Sequence, residues 1–174
     1  FQSRVSPSFA HVEGRKDLHR FTLAFWMRTS DTENVGTPIS YAVQHRGKLD
    51  DNALVLTDYT NFNLVINNET QSLEFDGNDG EWHHIAVTWQ SADGIWMAYK
   101  GGQKIATAKS AFQRGKYIPK GGIFVIGEEQ DGLGSDFTPM ESFFGDISQL
   151  NIWDKALSAD EIYDLATSCH HDIG

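Results

Sequence analysis

At 174 residues and 40% hydrophobic side chains, the chain is long enough for one domain to bury a full core, and its single cysteine excludes an internal disulfide. A formal net charge of -10, from 24 acidic and 14 basic residues, argues against nucleic acid and against bare anionic lipid surfaces as partners. No apolar run approaches a membrane span, and Phe1-Gln2-Ser3-Arg4 lacks the apolar core of a signal sequence, so we expect a mature chain or a piece of a longer one, without direct membrane insertion. The 16 Gly, 11 Phe and 5 Trp favour an all-β architecture of strands and tight turns.

From Phe21 to Thr29, Phe21, Leu23, Phe25 and Met27 alternate with Thr22, Ala24, Trp26 and Arg28, the period of a strand. The second face is also partly apolar, which predicts a neighbour on each side and cover over both faces. Ile39 to Val43 reads as the next strand, and the polar stretch from His45 ends in Asp50-Asp51-Asn52, a set of oxygen donors. Ala53 to Leu56 and Phe62 to Ile66 form a strand pair. Asn67-Asn68-Glu69-Thr70 then turns the chain into Gln71 to Phe75, and its Asn68-Glu69-Thr70 triplet is an N-glycosylation sequon, a hint of secretion.

Ile85, Val87 and Trp89 line one face of the next strand, and Ala92-Asp93-Gly94 turns into Ile95 to Tyr99 as a hairpin. Adjacent His83 and His84 point to opposite faces of a strand and cannot easily share a metal ion. After a strand from Gly145 to Trp153 comes the only convincing helix. Ser158 and Glu161 complete a capping box there, and Leu157 can staple against Ile162. No linker or internal repeat divides the chain, so residues 1–174 are expected to form one domain.

Between the strand Ile123 to Ile126 and three loop-forming residues, Gly132, Gly134 and Ser135, stands Glu128-Glu129-Gln130-Asp131, with Glu141 a few positions on. Carboxylates and an amide packed so tightly either form a solvated acidic turn or repel one another unless a cation sits among them, and hard oxygen donors in a flexible loop suit calcium.

The motifs Trp82 to Trp89 and Gly145 to Ile162 resemble laminin-G-like and pentraxin domains, which implies a two-sheet antiparallel jelly-roll sandwich with one short C-terminal helix. Finer matches resemble the pentraxin family: His84-x-x-x-Thr88-Trp89-x-Ser91 follows its signature except at one place, and Asp51-Asn52 with Glu129-Gln130-Asp131 looks like its calcium set. The likeness to the neuronal pentraxins runs through Gly36 to Tyr41, Glu128 to Asp131 and Gly145 to Ile147.

The resemblance implies a first Ca2+ held by Asp51, Asn52, Glu129, Asp131 and the Gln130 backbone carbonyl. A second would share Glu129 and Asp131 and add later loop residues, here Thr138 and Glu141 where the family has a carboxylate and then an amide. We expect the first site to be filled and the second to be weak or absent. Ala24 and Ala86 stand where the family carries a disulfide, and Thr57 stands where its phosphocholine binders carry an aromatic residue, which argues against phosphocholine as ligand. Unpaired Cys169 is expected to be a free thiol or to pair outside this stretch.

The implied function is an extracellular, secreted or cell-surface recognition and adhesion module, such as part of a receptor ectodomain of the adhesion G-protein-coupled kind, binding a protein or glycan through loop-bound calcium. Two alternatives stand beside it: a homo-oligomerising structural domain whose calcium only braces loops, and a glycoside hydrolase using paired carboxylates. No aromatic sugar platform adjoins the acidic loop, which weighs against the enzyme.

Overall fold

The computed structural model describes residues 10–168. Eleven strands occur among them: β1 Ala10–Glu13, β2 Arg20–Arg28, β3 Ile39–His45, β4 Lys48–Thr57, β5 Asn63–Ile66, β6 Glu69–Ser72, β7 His83–Gln90, β8 Ile95–Lys100, β9 Gln103–Thr107, β10 Ile123–Ile126 and β11 Asp146–Trp153. One helix, α1 Ala159–Thr167, follows the last strand. The strands build two antiparallel sheets, one of six in the order β1-β10-β3-β4-β5-β6 and one of five in the order β11-β2-β7-β8-β9.

Alternation explains how the sheets meet. Phe21, Leu23, Phe25 and Met27 from β2, with Ile85, Val87 and Trp89 from β7, are fully buried against Leu54, Leu56 and Leu64 of the opposite sheet. Burial of each such side chain stabilises the fold by roughly 1.5–3 kcal/mol, which is why the period-two stripe selects this pairing. The opposite face of β2 is covered as well. Ala24 and Ala86, register partners across β2 and β7, are buried with Tyr99 beneath Ile162 of α1.

The predicted capping box is present: Ser158 Oγ accepts from the Glu161 N–H, and the Glu161 carboxylate accepts from the Ser158 N–H. Leu157 packs into the same cluster as Ile162. Among the described residues, no helix is long and apolar enough to cross a membrane. Cys169 lies outside them.

Two stretches differ from the sequence reading. The strand expected over 71–75 is instead β6, Glu69–Ser72, because Glu74 adopts a left-handed φ of 61° and turns the chain. Asp51 and Asn52 sit inside β4 and not on a loop. Between the register pairs Tyr41↔Leu54 and Val43↔Asp50, the single β3 residue Ala42 faces Asp51, Asn52 and Ala53 of β4. This bulge breaks the alternation that would have marked the strand, and it re-aims the side chains it carries.

Candidate calcium site

Beyond β10 the chain folds back over the outer face of the six-stranded sheet. Ser40, a buried hydroxyl of β3, donates to the Glu128 carbonyl (2.7 Å) and accepts from Gln130 Nε2 (3.0 Å). Gln130 Nε2 also donates to the Ile123 carbonyl (3.1 Å), and its Oε1 accepts from the Gly134 N–H (2.9 Å). With Gln130 fully buried and all these bonds made, only its backbone is left to serve a ligand.

Glu128 is buried too. Its carboxylate accepts from the Ser142 hydroxyl (2.7 Å), and burial pushes its pKa up. Glu128 and Gln130 are buried, whereas Glu129 is half-buried and Asp131 is exposed.

Glu141 arrives from the other side. A 3₁₀ turn over Pro139–Glu141 is pinned by backbone bonds from the Val35 N–H to the Met140 carbonyl (3.0 Å) and from the Thr37 N–H to the Glu141 carbonyl (2.9 Å). Between these two donors Gly36, at φ 57°, packs against the Tyr59 ring, where a Cβ would collide. As a result Glu129, Asp131 and Glu141 each bring a carboxylate oxygen within 4.8 Å of the others. The Glu129 carboxyl is pushed up to about 7, first by burial and then by the charges of Glu141, Asp131 and Asp51.

The sequence-predicted residues thus divide. Glu129, Asp131 and Glu141 converge, whereas Asp51 stands outside the 4.8 Å group but near enough for its charge to act on Glu129. Asn52 lies beside Asp51, its Nδ2 3.3 Å from Asp51 Oδ1. The Thr138 hydroxyl is 3.4 Å from Asp131 Oδ2. A set of carboxylates, one hydroxyl, one amide and a backbone carbonyl is hard-oxygen chemistry, which fits calcium and suits no soft metal.

Elsewhere, exposed Asn68 caps the β5–β6 hairpin at positive φ and donates from Nδ2 to Asp50 Oδ1 (2.7 Å). Thr57 is tied to Thr37, hydroxyl to hydroxyl, at 2.9 Å. His83 and His84 engage separate partners: His83 Nε2 pairs with Asp79 (2.7 Å), and buried His84 lies edge-on to Trp26. Ser40 and Ser142, which hold the loop in place, escaped the sequence reading. A lone polar residue inside Ile39-Ser40-Tyr41-Ala42-Val43 was the available signal for Ser40.

A two-sheet antiparallel sandwich bearing an oxygen-rich loop on its outer face is a jelly-roll domain with a candidate site for a hard cation. The family model described as the Pentaxin family matches residues 1–172, and the chain belongs to that family. It is 45% identical over 157 residues to the rat (Rattus norvegicus) Sushi, von Willebrand factor type A, EGF and pentraxin domain-containing protein 1, covering 90% of this chain and 4% of that protein. It is 38% identical over 170 residues to human (Homo sapiens) neuronal pentraxin-1, covering 96% of this chain and 38% of the relative.

The chain therefore spans well under half the length of these relatives. In fold it is similar to the native heptameric SAP-like pentraxin of Limulus polyphemus, with a TM-score of 0.76 at 23% identity, over 97% of this chain and 79% of that one. Pentraxins are calcium-binding proteins of recognition and assembly and are not enzymes, and this chain carries a domain of their family.

Proposed function

We propose that the domain is an extracellular recognition module that engages a partner through calcium held on the outer face of its six-stranded sheet. The observation that carries this reading is the convergence of Glu129, Asp131 and Glu141, with Glu129 driven toward its neutral form by burial and by its neighbours. Such an arrangement opposes folding unless a cation offsets the repulsion.

Asp51, Asn52, Glu129, Asp131 and the Gln130 carbonyl would hold one ion. Glu129, Asp131 and Glu141, with the Thr138 hydroxyl, would hold a weaker second. Bound calcium supplies a positive centre whose coordination a partner's carboxylate, phosphate or sugar oxygens complete. Exposed Asn68 is the proposed glycan acceptor, in keeping with an extracellular setting.

Calorimetric titration of the chelated domain with calcium, run beside Asp131→Asn, tests the proposal. The parent is expected to bind at least one ion and the variant to lose at least tenfold in affinity. A parent titration without heat and without a rise in melting temperature would remove the basis for this function. A second reading, an assembly domain whose ions brace the loops, draws on the heptameric state of the Limulus neighbour. Light scattering with and without chelator separates the two.

A further inference from the structure

Among the described residues, three of the nine large exposed apolar side chains are aromatic, and two of these, Trp82 (42% exposed) and Phe144 (48% exposed), flank one ion pair at the end of β2. Arg28 donates from Nε (3.0 Å) and Nη2 (2.8 Å) to Asp146 Oδ2, its register partner on β11. The same guanidinium lies 5.2 Å from the centroid of the Trp82 ring. Phe144 shares with Arg28 and Asp146 the wall of a cleft of about 440 Å3, together with Ser30, Asp31 and Asn34. None of the candidate calcium ligands lines this cleft. The two rings stand far apart in the chain, which is why the sequence shows no platform.

Two loops are fastened to this strand end. The N–H of Gly80, two residues before Trp82, donates to the Thr29 carbonyl (2.8 Å), and the Thr29 hydroxyl donates to the Phe144 carbonyl (2.5 Å). Gly145 packs so closely that a Cβ there would stand 2.2 Å from the Arg28 carbonyl oxygen. Backbone held in this way presents both rings before a ligand arrives, which lowers the cost of binding. We infer that the cleft is a calcium-independent site for a neutral pyranose, whose C–H face meets the exposed surface of Trp82 and Phe144 and whose hydroxyls meet Arg28, Asp146, Ser30 and Asn34.

Charge separates a sugar from other ligands. Sugar hydroxyls both donate and accept, which suits a wall that mixes carboxylates, a guanidinium, a hydroxyl and an amide beside aromatic surface. An anionic ligand would meet two carboxylates against one guanidinium. Burial works to raise Asp31, but hydrogen bonds from Tyr59, the Glu33 N–H and Asn34 hold it below the usual carboxylate value, so it is charged at neutral pH. A cationic ligand would compete with Arg28, which already occupies the Trp82 ring. An acyl chain would find Phe144 as the single large apolar side chain on the wall.

The test follows the indole N–H resonance of Trp82 and the ring resonances of Phe144 while the domain, with saturating calcium or with chelator, is titrated with lactose. Glucuronic acid and choline serve as charged comparison probes. The expected result is saturable shifts at both rings, the same Kd with calcium and with chelator, and at least a tenfold preference for lactose over either charged probe. Trp82→Ala and Phe144→Ala, both at exposed positions, should each weaken lactose binding at least fivefold. Trp82→Phe should keep most of the binding, and Asp131→Asn should leave it unchanged.

Rings that do not shift, glucuronate or choline binding as tightly as lactose, or lactose binding that disappears with chelator overturns the inference. Shifts that follow protein concentration in place of lactose would assign the cleft to a second copy of the chain and overturn it as well. The calcium titration described above can fail or succeed without touching this result, because the cleft borrows no calcium ligand.

Discussion

The Glu129 carboxyl shows how one residue can work against its own fold. Its ordinary value is 4.5, and in the folded domain it rises to about 7 through burial and the charges of Glu141, Asp131 and Asp51. Between those values the calcium-free native state holds a proton that the unfolded chain has released. The stability contribution of this group is therefore fully present below about pH 4.5 and is lost as pH rises toward 7.

Buried His84 has the opposite sign. Its pKa is held below 6.5 by desolvation, so its contribution is lost as pH falls through that value. Comparing calcium-free parent and Glu129→Gln across pH 4.5 to 7.5 cancels the histidine. The variant's melting temperature should gain steadily on the parent's as pH rises; a constant difference would show that Glu129 titrates normally. Calcium uptake at pH 7 should also release about half a proton, read as a dependence of binding heat on buffer ionisation enthalpy.

At the scale of the elements, strand alternation made most of the sandwich legible. The stripe Phe21, Leu23, Phe25 and Met27 is a core stripe, and the Ser158–Glu161 cap starts the helix where its side chains require. What escaped has physical reasons. β1, Ala10–Glu13, is a short edge strand with too few residues to show a period. The bulge in β4 hid Asp51 and Asn52 in what reads as a polar loop. Glu128-Glu129-Gln130-Asp131 reads as one polar run in the sequence, and only the fold separates buried Glu128 and Gln130, anchored by Ser142 and Ser40, from Glu129 and Asp131.

The alanine pair was legible from the resemblance, and the register adds that Ala24 and Ala86 lie directly opposite each other. Cysteines placed there face each other across adjacent strands and close a loop of about sixty residues, for which a bridge adds typically about 2–4 kcal/mol. The double variant Ala24→Cys, Ala86→Cys should therefore oxidise spontaneously and shift the denaturant midpoint upward by an amount of that size, reversed by reductant. An oxidised variant no more stable than the parent would show that packing beneath Ile162 already uses this space to the full.

For the whole molecule, the question is what couples the β4 bulge to a loop nearly eighty residues later in the chain. Among the described residues the ties run through intervening strands. β10 pairs with β3, β3 pairs with β4, and the loop rests on Ser40, while the carboxylates that meet at the surface push the two regions apart. An ion shared between them would turn that repulsion into a crosslink, and at a concentration one hundred times its Kd it would raise the free energy of every opening that releases it by about 2.7 kcal/mol.

Amide exchange distinguishes such openings. Residues 128–137 and 50–53 should exchange about 100-fold more slowly with calcium than with chelator, because any motion that frees them also frees the ion. Core amides of β7, which exchange only through global unfolding, share the increment. The last turn of α1 frays on the far face of the other sheet without disturbing the loop, and its rates should stay unchanged. Protection gained equally by α1, or gained by 128–137 without 50–53, would mean that the bulge and the loop do not hold one ion between them.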